Sequence, residues 1–467
     1  MWNRIKLILK NVKQYKKYAI VTPFIMIFEV LLETALPFVM STLIDSIRDN
    51  LDQLNSIGDI FKEITYTNIT LGFTMNVSVF AIMMTLILMA LLSLGFGVLG
   101  GITAAKASVG LATNLRSDLY KKIQTFSFAN IDKFQTSSLV TRLTTDVQNV
   151  SMAFQMCIRI VVRAPLMMIF SAVMAFISGG QISLVFIGLV VVVAVCMVLI
   201  ILAAMKIFTK VFKRYDKLNE SIQENVSGIR VVKNFVREDY ETEKMSKASD
   251  AICEEFKKAE IIISFASPVM NLSIHIVNML VCGLGAFLIY QSVSQGVEPI
   301  LGAGQLSALL TYGVQILMAL LMVTIVMGIL SMSLESMKRI GEVLREESTI
   351  HNPSDPIMQL KDGSVKFDKV TFKYSKAAKR NALDEINLEI NSGDFIGIIG
   401  STGSGKSTLV SLISRLYDIT TGELIVGGHP VNQYDLRTLR DNVAVVLQKN
   451  VLFSGTIADN LRWRDLN

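Results

Sequence analysis

Gly400-Ser401-Thr402-Gly403-Ser404-Gly405-Lys406-Ser407-Thr408 is the stretch whose reading decides the fold of the C-terminal part of this chain. Its glycines let the backbone bend tightly and point successive N–H groups at phosphate oxygens. Lys406 supplies a point charge for the β- and γ-phosphates, and the Ser407 hydroxyl suits Mg2+. Such a loop works between a strand and a helix. Phe395, Ile396, Gly397, Ile398 and Ile399 form a short apolar run that predicts a buried strand, and residues 409–416 predict the helix whose positive end faces the same anion. Residues 365–372 alternate apolar and polar, as a half-buried strand does. Region 363–467 therefore reads as an α/β phosphate-loop domain.

Two further residues fit a nucleotide. Tyr374 follows the alternating strand, where an aromatic ring can stack on a base or simply end a strand. Gln448 follows a second predicted apolar strand, 443–447, where its amide would meet Mg2+ or an attacking water, a role open on the residues alone.

What precedes this domain belongs in a bilayer. Hydrophobic residues make up 51% of the 467, and mean hydropathy is +0.49. Crossing about 30 Å of hydrocarbon takes about 20 helical residues. No Asp, Glu, Lys or Arg occurs in 64–105, 164–205, 261–297 or 299–334, and Glu29 and Glu33 alone interrupt 18–44. With a turn at 178–181, the pattern predicts six helices, over 18–46, 74–105, 156–178, 182–206, 261–291 and 303–334.

Basic residues set the orientation. Arg4, Lys6, Lys10, Lys13, Lys16 and Lys17 precede the first span with no acid among them, whereas the 48–73 loop is mainly acidic and 292–302 carries no Lys or Arg. Both termini are expected in the cytoplasm, with 1–17 an amphipathic segment on the membrane surface. The net charge of +6 follows from this topology and excludes a nucleic-acid partner. A cleaved secretory signal is excluded because the first run is too long and contains two carboxylates. Cys157, Cys196, Cys253 and Cys282 have neither metal nor redox spacing and read as small apolar fillers.

Residues 18–334 thus form the membrane domain, 335–362 a polar linker with turn signals at His351-Asn352-Pro353 and Asp355-Pro356, and 363–467 the nucleotide domain. The stretches 106–155 and 207–260 are too long for structureless loops and predict helices extending into the cytoplasm. Ile229, Val232 and Val236 make a short apolar stripe in the second. Phe126, Phe128 and Phe134 cluster around a predicted turn at 130–132 in the first.

Together these features resemble the half-transporters of the ATP-binding cassette (ABC) exporters, in which an α-helical membrane domain of six spans precedes a P-loop ATPase domain. The resemblance runs over the whole chain. Residues 134–147 and 228–241 resemble the family's two cytoplasmic loops, which imply short coupling helices docking on the nucleotide domains. Tyr374 takes the adenine-stacking position, 400–408 is the Walker A loop, and 448–457 resembles the glutamine-loop region, with Leu447 where proline is common. Residues 450–463 look most like one subunit of the bacterial heterodimeric multidrug exporters.

What the resemblance implies is ATP with Mg2+, and a second half-transporter as partner, a heterodimer favoured over a homodimer. It also implies an amphipathic or drug-like compound, with lipid and peptide among the options, moved out of the cytoplasm or the inner leaflet of the cell membrane by alternating access. Gln448 is the one catalytic contact it gives this stretch. The signature motif, the Walker B carboxylates, the catalytic glutamate and the switch histidine are missing from the 467 residues. The sequence is therefore read as C-terminally truncated, and a protein truly ending at Asn467 is expected not to turn over ATP. The alternative is a non-transporting, ATP-responsive regulatory or channel-like subunit on the same fold.

Polar residues inside spans give candidate substrate contacts. Glu29 and Glu33 lie one turn apart on one face of the first helix, where they either line a cavity favouring cations or bond to neighbouring helices. Asn271, His275 and Asn278 make a polar stripe on the fifth helix and Gln315 adds a group on the sixth, with the same two readings.

Overall fold

The computed structural model describes residues 6, 8–49, 63–68, 73–295, 301–375, 378–446 and 451–462. In chain order the long helices are α1 (Lys16–Asp49), α2 (Val79–Gln124), α5 (Val147–Gly179), α6 (Ser183–Ser227), α8 (Glu238–Ser264), α9 (Ala266–Ser294) and α10 (Ala303–Arg345). Short helices α3 (Phe128–Phe134), α4 (Thr136–Thr141) and α7 (Ile229–Asn234) occupy the two long connections. The 46 residues of α2 span about 69 Å, more than twice the hydrocarbon thickness, so the expected extensions beyond the bilayer are present.

Among the described residues, five helical stretches are long and apolar enough to cross a membrane: Lys13–Arg48, Val79–Gln124, Thr136–Gly179, Glu238–Ser292 and Ala303–Arg345. The predicted span 182–206 lies within α6, where Val191–Ile207 is a shorter apolar stretch. Three expectations are corrected. The second span starts at Val79, not 74, because residues 73–78 pair as strand β2 (Phe73–Ser78) with β1 (Glu63–Asn68) in an antiparallel hairpin. Thr65, Tyr66, Thr67, Thr74 and Val77 favour a pleated strand over a helix. The linker begins later than 335, since α10 continues to Arg345. The fifth span is the second part of a helical stretch divided at Phe265 into α8 and α9.

Contacts divide the chain into two compact units: Met1–Leu115 with Val147–Met337, and Arg116–Asp146 with Lys338–Asn467. In the first, α1 carries Pro23 and Pro37, each of which removes an N–H from the helical ladder. A buried cluster of Met197, Met270, Val277, Val281, Leu309, Tyr312 and Leu317 joins α6, α9 and α10. The Tyr312 hydroxyl donates to the Thr34 carbonyl of α1 at 3.0 Å. Asp45 of α1 accepts the Gly304 N–H at 2.8 Å, so a carboxylate caps the start of α10 from a distant helix.

Gly304 is required by this approach: a Cβ there would stand 2.2 Å from the Ser41 carbonyl oxygen. Gly304→Ala is expected to force α1 and α10 apart at about 1–3 kcal/mol, visible as a lowered Tm of the purified protein. An unchanged Tm would mean this junction carries no packing constraint.

The second unit holds a four-stranded antiparallel sheet in the order β4-β3-β5-β6, from β3 (Val365–Phe372), β4 (Leu383–Ile390), β5 (Thr421–Val426) and β6 (His429–Pro430). Alternation along β3 is real but interrupted. Phe367, Val370 and Phe372 are buried, and the phase changes at a bulge around Lys369, whose φ is +44°. Helices α11 (Lys406–Ile413), α12 (Leu436–Asn442) and α13 (Ile457–Leu461) complete it. Leu409 and Leu412 of α11 and Leu439 of α12 pack on Phe367, Phe372, Leu383 and Leu424.

The predicted buried strand at 395–399 is not found: these residues lie in no sheet, with Phe395 and Ile399 essentially fully exposed. Among the described residues no strand lies beside them, and an extended segment without a neighbour neither pairs its backbone nor buries its side chains. The same holds for 443–446, predicted as a strand and found irregular, while Leu447 lies outside the described residues. The helix predicted over 409–416 ends at Ile413, because Arg415 turns to φ +51° and its guanidinium pairs with Asp418 at 2.7 Å.

Candidate functional site

The phosphate loop is built between β4 and α11. Gly403 and Gly405 take φ +85° and +88°, values that L side chains rarely adopt. Gly405 also lies against the chain before β4, where a Cβ would stand 2.8 Å from the Ala382 carbonyl oxygen. Gly400 is not left-handed; a Cβ there would crowd the Ser404 hydroxyl. The Lys406 ammonium folds back across the loop, donating to the Gly400 and Ser401 carbonyls at 2.9 and 2.8 Å and approaching the Ser404 hydroxyl at 3.4 Å. Ser401, Thr402 and Ser407 are exposed, and Thr408 is buried.

These residues fit a nucleoside triphosphate. The left-handed glycines shape a turn, an ammonium stands over it, and the N-terminus of an eight-residue helix follows. Lys406 would hold phosphate oxygens, and the exposed Ser407 hydroxyl would face the cation. To such a ligand this chain would contribute the cradle and the charge.

Tyr374 stands beside the loop. Its hydroxyl lies 2.8 Å from the Thr408 hydroxyl, which ties the ring to α11. The ring packs edge-on against Phe372 and Tyr417, at 4.9 and 5.2 Å between centroids, and half of the side chain stays exposed for a base to cover. Tyr374→Ala is expected to weaken Mg-ATP binding about five- to tenfold, the loss of one stacked ring, while Tyr374→Phe keeps most of the affinity. A calorimetric titration checks both; equal affinity in Tyr374→Ala would remove the ring from the site. Gln448 lies outside the described residues.

Tyr417 was not legible as a site residue. It joins the nucleotide-loop aromatics to the first long connection, which belongs to the same compact unit. Its hydroxyl donates to Asp132 of α3 at 2.7 Å, and its ring lies 6.0 Å from Phe128 and 5.6 Å from Phe372. Burial, reinforced by the Asp132 carboxylate, pushes the phenol's pKa up and favours the protonated form that donates to Asp132. Residues 130–132, expected as a turn, are helical. Ser127 caps α3 by accepting the Asn130 N–H, and the Asn130 side chain returns the bond. Asn130 and Lys133 both donate to Glu346, at 3.0 and 2.9 Å. Phe126 stacks on Phe134 at 5.8 Å. The bulged turn at Arg142–Asp146 buries Asp146 against the Arg339 guanidinium, with Nε–Oδ2 at 2.9 Å. A chain of direct contacts therefore runs Asp132–Tyr417–Tyr374–Thr408.

In the second connection, Ile229 and Val236 are exposed and Val232 half-buried, with Val236 at φ +49°, uncommon for a β-branched residue.

The membrane-span candidates separate. Glu29 and Glu33 share a partner that the sequence reading missed, Arg163 of α5. Its Nη2 lies 2.6 Å from Glu33 Oε2 and its Nη1 3.6 Å from Glu29 Oε1. This arrangement is the interhelical alternative. Gln315 accepts from Ser171 of α5 at 3.0 Å, also between helices. Asn271 and His275 are exposed on α9, and Asn278 is half-buried with its Oδ1 lacking a hydrogen bond. These residues are not brought to one described cavity. Among the described residues no cluster of metal-ligating side chains occurs, and the four cysteines are free thiols.

The family model for the ABC transporter transmembrane region matches residues 20–320, and the ABC transporter model matches 383–466. An uncharacterised ABC transporter ATP-binding protein of Mycobacterium tuberculosis is 34% identical over 378 residues, covering 80% of this chain and 63% of its own length. The uncharacterised ABC transporter ATP-binding protein YfiB of Bacillus subtilis is 31% identical over 381 residues, 80% of this chain and 64% of its own. An ATP-dependent lipid A-core flippase of Hahella chejuensis is 26% identical over 365 residues, 78% and 61% respectively. The chain thus spans less than two thirds of the length of these relatives.

Proposed function

The chain belongs to the ABC transporter family, a helical membrane domain followed by an ATP-binding domain in one polypeptide, and from that premise we propose that it is one half of an ATP-driven exporter. ATP with Mg2+ binds at 400–408 and Tyr374, with Gln448 at the metal or attacking water. A second half-transporter, preferably a different chain, completes each site. The cargo is an amphipathic compound taken from the cytoplasm or the inner leaflet of the cell membrane, and both termini face the cytoplasm. The name of the Hahella relative supports a lipid-like cargo without fixing it.

The observation that carries the reading is the contact chain from the loop helix to α3. Thr408 touches Tyr374, Tyr374 packs on Tyr417, and Tyr417 holds Asp132. A ligand that orders Tyr374 acts directly on the cytoplasmic connection between two membrane helices. Differential affinity for two arrangements of that connection is what turns binding into alternating access. The resting pairing of Glu29 and Glu33 with Arg163 argues against a freely available cation site there, so the cargo is defined by apolar surface more than by charge.

ATP-dependent uptake of a fluorescent amphipathic dye or lipid into inverted membrane vesicles tests the proposal. Uptake lost in Lys406→Ala supports export. ATP binding with no uptake of any amphipath would instead favour the regulatory subunit.

A further inference from the structure

The N-terminal segment is not a loose surface strand. Asn114 of α2 donates to the Asn11 carbonyl at 2.9 Å and pairs with Gln14 at 3.3 Å. Tyr15 packs so closely on Gly110 that a Cβ there would stand 2.3 Å from the ring. Held this way, the segment turns Ile8 and Leu9 over a cavity of about 500 Å3 within the membrane unit. The cavity lies among α1, α2, α5 and α10, with Phe154, Ile158, Met327 and Leu330 in its wall. Its volume falls in the range of small-molecule sites, roughly 300–1,000 Å3. Apart from the Cys157 thiol, every lining side chain is hydrocarbon or thioether. A compound with amines or hydroxyls would lose its hydration there without gaining hydrogen bonds. An alkyl chain loses nothing, and methionines adapt to its shape.

The exposed side of the same segment, which Leu9 of the cavity wall reaches, is cationic. Lys6, Lys10, Lys13, Lys16 and Lys17 are exposed, and no acidic residue precedes Glu29. An apolar slot roofed by a basic segment matches a molecule with a fatty chain and an anionic head. We infer that this cavity binds one acyl chain of an anionic phospholipid from the cytoplasmic leaflet, its headgroup against the N-terminal lysines. The lipid secures the N-terminal segment to α2 and α5, apart from the polar residues of α9. The inference rests on the membrane placement proposed above.

The test is native mass spectrometry of the full protein with its partner, delipidated and then titrated with phosphatidylglycerol or phosphatidylcholine of the same chain length. The expected result is one retained phosphatidylglycerol per copy of this chain, favoured over phosphatidylcholine by about thirtyfold if two lysines meet the headgroup. Ile158→Phe fills the cavity and is expected to remove the adduct. Lys6→Gln with Lys10→Gln is expected to leave binding but erase the preference.

Labelling of Cys157 in the otherwise unaltered chain by a membrane-permeant maleimide needs no cavity variant, and phosphatidylglycerol is expected to slow it. Phosphatidylglycerol retained equally by Ile158→Phe, unaltered Cys157 labelling, or retention of detergent or cargo in place of lipid would each overturn the inference. Orientation is read separately, from a Lys10→Cys variant lacking the four native cysteines. Its reaction with an impermeant maleimide in intact cells would overturn the membrane placement. An unreactive Lys10→Cys together with no lipid retention would overturn the lipid site alone.

Discussion

Lys406→Ala is expected to weaken Mg-ATP binding by about 10- to 150-fold, the factor carried by hydrogen bonds to a charged group of about 1.5–3 kcal/mol. Two losses combine. The ammonium that would face the phosphates disappears, and so do its bonds to the Gly400 and Ser401 carbonyls, which brace the bent loop. Lys406→Arg retains the charge but replaces a compact point donor with a planar fork, so it too is expected to bind more weakly than the parent. The fold should survive both changes, because Lys406 is only half-buried and the packing of α11 comes from Leu409 and Leu412. Titration calorimetry with Mg-ATP, alongside a melting curve, separates lost binding from lost folding. Unchanged affinity in Lys406→Ala would remove 400–408 from the nucleotide site.

Arg163→Ala is expected to have the largest effect on stability, about 3 kcal/mol. Removing the cation of a partly buried ion-pair network leaves an uncompensated charge, above all on the buried Glu29. Glu29 is 6% exposed, and one of its oxygens already lacks a hydrogen bond. Without Arg163, Glu29 and Glu33 stand one helical turn apart with no direct ion-pair partner among the described residues, and Arg159 acts on Glu29 only from a longer range. The compensating variant follows from the same reasoning. Adding Glu29→Gln and Glu33→Gln to Arg163→Ala removes the stranded charges and should recover most of the lost Tm in detergent. A Tm unaffected by Arg163→Ala would mean the triad is hydrated rather than structural. Glu33→Gln alone, with cation export intact, would likewise remove the glutamates from cargo recognition.

The reach of sequence reading differs between these two sites. The phosphate loop was legible because all its parts are local: glycines, lysine and hydroxyl lie within nine consecutive residues, and the helix follows at once. The strand β3 was legible from its alternation, although the bulge at Lys369 was not, since an inserted residue changes the phase without changing composition. Residues 395–399 misled for the opposite reason. An apolar run states what a segment would bury, but a strand also needs a neighbour, and none is described beside it.

Arg163 was overlooked because it sits at the edge of an uncharged run and 130 positions from Glu33. The available signal was that a cation in a span, like an anion, requires a partner, and the span 156–178 carries Arg159 as well as Arg163. Nothing in the residues around Tyr417 announced its bond to Asp132, 285 positions away.

By itself the sequence determined what is set by neighbouring residues: spans long enough for a bilayer, helices that continue beyond it, and a loop shaped for phosphate. Hydrophobic length, helical period and glycine freedom act over a few turns, so they can be read in one dimension. Tertiary structure alone decided that the first long connection packs within the nucleotide unit, and that both glutamates of α1 converge on one arginine. It also decided that the N-terminal segment roofs an apolar cavity. Each of these is a pairing between distant parts of the chain, fixed by which faces pack together rather than by the character of either face.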